Sequence, residues 1–445
     1  MSHIPEAKLQ IVRSLIDQAP DKAVTTLLMA LSSDGELDIG LRTVKAIVEA
    51  EADDRRARNL ILAPIAALCG PPTEFSHIRF PRKALTQLWK ALKATAADEV
   101  AHAATLAADW RSDEGSPEPF DALCALAAAG LRAGSQPQFV AAADAADTEA
   151  GAETLAACLD LAGVTRRSLT RLSDWLGRMT DEKAAALRLA LKDVVNIAED
   201  GGPRFFEMLA SQLAEPWHIL RVIAGAMARP SDTYLAATEL AVFGESLLDD
   251  IDRRLEIVSR FNRDAGVPAA HAAAAAIHMI TLEIAEIEQS LALTPEGIWG
   301  RRVIKQRRSL AAAVEAHLRA VDDAVSHALP LQTIRLGPRT LKGIPRLSTE
   351  PEPAAILRAS TLLEFLHEIR NSASAGGFAS ARAKAVEILD ARLDTYVEDI
   401  LDHLRTEDAP NADRARAYLN IAADLCGIAR DAKAAQLVRR RAAAA

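Results

Sequence analysis

Aromatic residues are scarce in this sequence: they make up 4% of its 445 positions, although half of the chain is hydrophobic. The apolar content is therefore mostly alanine, leucine, valine and isoleucine. Alanine and leucine lead the helix-propensity scale, whereas the β-branched and aromatic residues that fill strands are sparse outside amphipathic stretches. This composition argues against a β-rich fold and predicts an all-α protein.

Cysteine is also scarce, with four residues far apart in the sequence and no CxxC pair. The spacing indicates neither a disulfide framework nor a thiolate metal site, and we expect buried free thiols in a reducing compartment. Lysine supplies only 12 of the 52 basic residues, which with the alanine bias is typical of a GC-rich bacterial genome.

Two further absences concern location. The N-terminus has no basic region followed by an apolar one, so we expect no secretory signal. The most apolar run, VPAAHAAAAAIHMITL, is interrupted by His271 and His278 and falls short of the roughly 20 apolar residues that a membrane span needs. The sequence therefore predicts a cytoplasmic protein.

Common catalytic motifs are missing as well. The chain has no GxxxxGK[ST] phosphate loop, no GxSxG nucleophile elbow, no HExxH zinc motif and no GxGxxG after a strand. We accordingly predict no catalytic residue, no metal ligand and no cofactor, and favour a protein that is not an enzyme.

The spacing of the Gly and Pro residues that interrupt helices divides the chain into two regions. Residues 1–230 contain amphipathic pieces of roughly 10 to 18 residues between Gly and Pro breaks, such as RKALTQLWKALKAT with its stripe of Leu85, Leu88, Trp89 and Leu92. Residues 231–445 contain longer pieces at 231–262, 267–291, 294–328, 354–371, 379–405 and 411–441. We predict an N-terminal, solenoid-like array of short helical hairpins followed by a bundle of long antiparallel helices.

Positive charge is concentrated near the middle of the second region. From Trp299 to Arg346 there are ten basic and three acidic residues, a net of +7, in a chain whose net charge is -9. The segment 329–353, rich in proline, carries part of this charge and is predicted to be a long irregular loop. The residues predicted to form a docking surface are Arg301, Arg302, Lys305, Arg308, Arg335, Arg339 and Lys342.

An acidic stripe offers an internal partner for this charge. Glu245, Asp249, Asp252 and Glu256 stand at i, i+4, i+7 and i+11 on one predicted helix. Like charges at this spacing repel one another, so a neutralising helix would be favourable. The basic residues could therefore face the acidic helix of their own chain instead of a partner.

Histidines give a weaker signal for metal binding. Glu-x-x-His occurs four times, but only Glu99/His102 and Glu364/His367 stand on predicted helices without another explanation. His271 and His278 share a helix face without a carboxylate at i+4. Ordinary polar surface positions are the preferred interpretation.

Three functions remain open from the sequence. The favoured one is a non-catalytic scaffold, adaptor or regulatory protein that docks a protein partner on the basic surface. The second is an electrostatic binder of an anionic membrane surface or of nucleic acid through residues 299–346, which would lose affinity steeply with salt. The third is a metal-dependent helical enzyme that uses the acidic stripe.

Overall fold

The computed structural model describes residues 5–33, 39–71, 75–111, 115–335, 341–406 and 410–444. Within them the chain forms 22 α-helices and a single two-stranded ladder, which confirms the all-α prediction. Its contacts divide the chain into two compact units, Met1–Arg229 and Pro230–Ala445. We call them the N-terminal unit and the C-terminal unit.

The N-terminal unit consists mainly of short helices. They are α1 Glu6–Gln18, α2 Asp21–Ser33, α3 Ile39–Ile61, α4 Ala63–Ala66, α5 Arg82–Thr95, α6 Ala97–Asp109, α7 Glu118–Ala133, α8 Pro137–Ala145, α9 Glu149–Asp160, α10 Ala162–Leu169, α11 Leu172–Leu176, α12 Asp181–Ile197, α13 Gly201–Ala210 and α14 Ile219–Ala226, with a 3-10 turn at Pro216–His218. The apolar stripe predicted on α5 is buried as expected. At 23 residues, α3 exceeds the predicted range because no Gly or Pro interrupts it after Gly40.

One buried arginine connects three helices of this unit. Arg166 of α10 is 3% exposed. Its guanidinium donates to Ser116 Oγ at 2.7 Å, to the Asp121 carboxylate of α7 and to the carbonyl of Ile61 at the end of α3. The same group lies over the Phe120 ring, 5.3 Å from its centroid. These bonds satisfy a charge that would otherwise be costly to bury.

The C-terminal unit contains the long helices. Its elements are α15 Asp232–Leu235, α16 Ala241–Ser259, α17 Val267–Ser290, α18 Ile298–Ala328, β1 Leu331–Arg335, β2 Leu341–Pro345, α19 Pro353–Glu368, α20 Ala379–Leu404, α21 Ala412–Ala429 and α22 Ala432–Ala444.

Two of the predicted long helices are broken. The stretch 231–262 begins with the short helix α15 before α16, and Ser231 caps α15 by accepting a bond from the Tyr234 amide. The stretch 411–441 is interrupted at Arg430, whose φ of -117° and ψ of -82° leave the helical region. Arg430 is held there by Asp390 and Asp394 of α20, at 2.6 and 2.8 Å. The break lets α22 fold back against α21.

Consecutive long helices alternate in direction. Arg302 near the start of α18 pairs with the first half of α16, and His317 in its second half reaches the Val258 carbonyl near the end of α16. Helices α16 and α18 are therefore parallel. Helix α17, which connects them in the sequence, runs in the opposite direction. Arg392 of α20 pairs with Asp322 of α18 at 2.7 Å.

The segment 329–353 differs from the prediction of a long irregular loop. Strands β1 and β2 form an antiparallel ladder in which Leu331 pairs with Pro345 and Arg335 with Leu341. Each strand is only five residues long, and the prolines in the segment flank or end the strands instead of interrupting the ladder. The connection at 336–340 lies outside the described residues.

Helix α17 is long and apolar enough, by length and composition, to cross a membrane. Half of its most apolar window is buried inside the protein. The cytoplasmic location stays a prediction.

His317 of α18 is a buried histidine with a defined hydrogen-bonding pattern. Its ring packs edge-on against Phe261 and Phe365, with ring centroids 5.2 and 5.6 Å apart. Arg263 Nε lies 3.3 Å from Nδ1, and Nε2 lies 2.9 Å from the Val258 carbonyl oxygen. Since Arg263 can only donate, Nδ1 must accept and Nε2–H must donate, which requires the neutral ring.

We therefore expect acid to destabilise the C-terminal unit through His317. Burial lowers the pKa of His317 below 6.5, and Arg263 adds to that effect. The unfolded chain then binds more protons than the folded one below about pH 6.5, so stability present above that pH is lost as the pH falls. Thermal unfolding followed by circular dichroism between pH 7.5 and 5 measures this loss as the difference in pH dependence between a His317→Phe variant on one side and the parent and a His327→Gln control on the other. A smaller loss is expected in His317→Phe; an unchanged slope in that variant would contradict the assignment.

Candidate functional site

The start of α18 is fixed firmly to the rest of the C-terminal unit. Asp232 is 1% exposed, and its carboxylate accepts bonds from Thr294 Oγ1 at 3.2 Å and from the Gly300 amide at 3.3 Å. An acid at this place also suits the positive end of the helix dipole. Trp299 packs directly on Gly244 of α16, where an added Cβ would lie 2.2 Å from the indole. The basic residues that follow are thus presented on a rigid support.

Arg302 is neutralised within the chain. Its guanidinium pairs with Glu245 at 3.0 Å, with Asp252 at 2.6 Å and with Asp249. Although partial burial acts to lower its pKa, the hydrogen bonds to Asp249 and Asp252 raise that pKa above the ordinary arginine value. Three carboxylates of the acidic stripe therefore pair with this single arginine. Arg302 joins α18 to α16 and is not available to a partner.

Arg307 is neutralised in a similar way. It forms a forked pair with Glu288 of α17, with Nε 2.9 Å from Oε1, and donates to the Ala375 carbonyl at 3.2 Å. Its side chain is 40% exposed. Arg307 therefore lies at a helix rim and joins α18 to α17.

The other three cations of this helical segment remain available. Arg301, Lys305 and Arg308 stand at i, i+4 and i+7, and none has an ion-pair or hydrogen-bond partner among the described residues. They line an open surface groove of about 460 Å³ with Pro295, Ile304, Ser309 and Ala312. We call these seven residues the cationic groove.

A second cleft, of about 300 Å³, adjoins the cationic groove. The two share Pro295 and Ile304, and the second is lined in addition by Leu291, Leu293 and Val303, among others. Ile298, one turn before Arg301, is 68% exposed. The surface around the three cations therefore combines positive charge with apolar area.

The remaining predicted docking residues lie elsewhere. Lys342 pairs with Asp399 of α20 at 3.0 Å, and Arg335 is exposed without a partner among the described residues. Both belong to the hairpin that follows the end of α18, whereas Arg308 lies twenty residues before that end, about 30 Å along the helix. Arg339 lies outside the described residues. Among the described residues, Arg335 and Lys342 thus lie apart from Arg301, Lys305 and Arg308.

A separate cluster was not predicted from the sequence. His271 of α17 lies beside Glu364 and Glu368 of α19, and one possible ligand atom from each residue lies within 4.8 Å of the others. The Glu364/His367 spacing had drawn attention to α19, but His367 does not belong to the cluster. Sequence spacing could not reveal it because its two halves are 93 positions apart and meet only when α17 packs against α19.

Comparisons with protein-family models, with curated proteins and with solved structures gave no match, so the functional interpretation rests on the geometry of this chain.

Proposed function

We propose that the protein is a helical scaffold or adaptor that docks an acidic, amphipathic segment of a protein partner in the cationic groove. The observation that supports this most strongly is the division of charge on α18. Arg302 and Arg307 are satisfied by carboxylates of the same unit, whereas Arg301, Lys305 and Arg308 are not. The unsatisfied cations share one helix face.

Their spacing defines the chemistry of the ligand. Cations at i, i+4 and i+7 span about 10 Å along the helix. Carboxylates at a similar spacing on a partner helix can face all three. Each exposed pair contributes little by itself, about 0.2 to 1 kcal/mol, so an apolar contact must supply much of the affinity. The cleft that shares Pro295 and Ile304 offers that contact beside the charges.

The same geometry disfavours the second candidate, a binder of nucleic acid or anionic membrane. Trp299, the aromatic residue nearest the three cations in sequence, is 1% exposed and packs inward, so it offers no platform for stacking bases. The basic hairpin is about 30 Å away and its Lys342 is already paired. The unpaired positive charge of Arg301, Lys305 and Arg308 is confined to one face of α18. A short acidic segment matches this arrangement better than an extended polyanion.

A charge-reversal experiment tests this proposal. The probe is a labelled amphipathic peptide with glutamates at i, i+4 and i+7 and leucines on the neighbouring face, and binding is followed by fluorescence anisotropy at low salt. Arg301→Glu with Arg308→Glu is expected to weaken binding about tenfold or more, because two attractions become repulsions. A peptide with glutamine in place of glutamate should bind weakly to parent and variant alike.

The matched control is Lys384→Glu with Lys433→Glu, which changes the net charge equally at exposed positions of α20 and α22. It should leave the affinity nearly unchanged. Equal loss in both double variants would mean that only the overall charge matters and would contradict a specific groove. Stronger, groove-dependent binding to anionic vesicles or to a single-stranded oligonucleotide would favour the second candidate instead.

A further inference from the structure

We propose that His271, Glu364 and Glu368 form a binding site for a divalent transition-metal ion, with Zn²⁺ as the best fit. The cluster joins two helices of the C-terminal unit: His271 comes from the first turns of α17, and the two glutamates stand at i and i+4 near the end of α19. His271 and Glu368 are exposed and Glu364 is half-buried, so an ion can reach all three from solvent.

The distances match what a metal ion requires after small side-chain movements. One ligand atom from each residue already lies within 4.8 Å of the other two. Atoms bound to one Zn²⁺ at about 2.0 to 2.2 Å lie about 3.5 Å apart in a tetrahedral arrangement. A rotation that moves each atom by about 1 Å closes this difference, without any movement of the backbone.

Helix α19 is held in place independently of any ion. Phe365, next to Glu364, is fully buried and stacks on Phe261, with ring centroids 5.0 Å apart. Leu366 is buried two residues before Glu368. The glutamates therefore project from a helix whose opposite face is anchored, which is the arrangement that preorganises metal ligands.

The cluster also has unsatisfied charge. Neither Glu364 nor Glu368 has a basic partner among the described residues, although most acidic side chains that face a neighbouring helix in this unit do. Two carboxylates at i and i+4 repel each other on a helix. A bound cation would remove this repulsion. The imidazole of His271 determines which cation fits.

The donor set determines which ion fits. An imidazole nitrogen with two carboxylates suits Zn²⁺ and neighbouring transition metals, whereas Ca²⁺ and Mg²⁺ prefer oxygen ligands alone. Three protein ligands leave at least one position of a tetrahedral Zn²⁺ for water. The site therefore resembles open zinc sites in its coordination number and differs from closed structural sites with four protein ligands.

Calorimetric titration of the full chain with Zn²⁺, after removal of any affinity tag, tests the site. We expect one ion per chain, and at least a tenfold loss of affinity in each of His271→Ala, Glu364→Gln and Glu368→Gln. Binding should also weaken as the pH falls, because protons compete with the ion for its ligands. Co²⁺ should give a spectrum without a thiolate charge-transfer band, since the four cysteines are buried and take no part.

His367→Ala and His278→Ala are the matched controls, since each removes a histidine from the same two helices without touching the cluster. Both should keep the parent affinity, and circular dichroism of all five metal-free variants should match the parent. Unchanged Zn²⁺ binding in the three ligand variants, equal loss in His367→Ala, or a thiolate band with Co²⁺ would each overturn the site.

Discussion

Replacing Arg166 with methionine is expected to lower the free energy of unfolding of the N-terminal unit by about 2 to 4 kcal/mol. Methionine fills much of the space but leaves the Ile61 carbonyl with only the weak donor of the Cys124 thiol, and Asp121 without its principal cation. Removal of one partner of a buried pair normally costs about 3 to 5 kcal/mol. The lower range applies here because the Asp121 side chain is 30% exposed and keeps Arg167 at 3.5 Å.

Tryptophan fluorescence during urea unfolding measures this loss. Four of the five tryptophans, Trp89, Trp110, Trp175 and Trp217, belong to the N-terminal unit, so the signal reports mainly on that unit. Arg167→Met is the matched control: its side chain is 51% exposed, and the expected change is below about 1 kcal/mol.

A second variant separates charge from shape. Arg166→Met combined with Asp121→Asn removes the carboxylate that has lost its principal cation and should recover part of the loss, which a double-mutant cycle would show as coupling between the two residues. No difference between Arg166→Met and Arg167→Met, or no coupling, would contradict the role given to this pair.

Replacing Glu283 with glutamine is expected to stabilise the C-terminal unit at pH 8 by about 1 to 3 kcal/mol. Glu283 of α17 is fully buried beside Asp250 and Arg254 of α16. Arg254 Nε lies 3.2 Å from Oε1, yet neither carboxylate oxygen accepts a well-aligned hydrogen bond from the described residues. Burial, reinforced by Asp250, raises the pKa of Glu283 to about 9.

The sign of the pH dependence follows from that pKa. Between about pH 4.5 and 9 the folded chain keeps a proton on Glu283 that the unfolded chain releases, so the contribution of Glu283 to the free energy of unfolding falls as the pH rises through this window. Glutamine is neutral throughout and removes the fall. The variant and the parent should therefore converge near pH 4.5 and differ most above pH 8.

Urea unfolding followed by circular dichroism at several pH values checks this expectation, with hydrogen exchange to assign the change to α16 and α17. Glu288→Gln is the control, since that residue is on the same helix but exposed and paired with Arg307. If the stability difference between Glu283→Gln and the parent is the same at pH 5 and pH 8, or if the variant is less stable than the parent at pH 8, Glu283 is ionised in the folded chain.

The fold class was predictable because helix propensity acts locally. Helices α17, α18 and α20 were predicted to within a few residues because they are rich in alanine and leucine and contain Gly or Pro only in the first turn, if at all. The break at Arg430 was not predictable, because it depends on Asp390 and Asp394, which are distant in sequence. The β-hairpin was missed because each strand is too short for its alternation to exceed the proline signal around it.

The candidate site was predictable only in part, for a similar reason. The sequence shows that residues 301–308 are basic and that α16 is acidic, but not which cation meets which acid. Arg302 takes three carboxylates because its position on α18 faces α16, whereas Arg301, one residue earlier, points away from that helix. The contact between α17 and α19 that assembles His271 with Glu364 and Glu368 likewise depends on tertiary packing.

The small ladder has a consequence for solubility. Among the described residues β1 and β2 pair only with each other, so each leaves one row of backbone amides and carbonyls open to further strands. Such rows invite association between molecules, the more so because Leu331 and Leu341 are 45% and 66% exposed. The positive charge of Arg335 and the proline at the end of β2 counter this tendency, since like charges on neighbouring molecules repel and proline donates no hydrogen bond. Arg335 and Pro345 thus oppose association of two molecules through the edges of the hairpin.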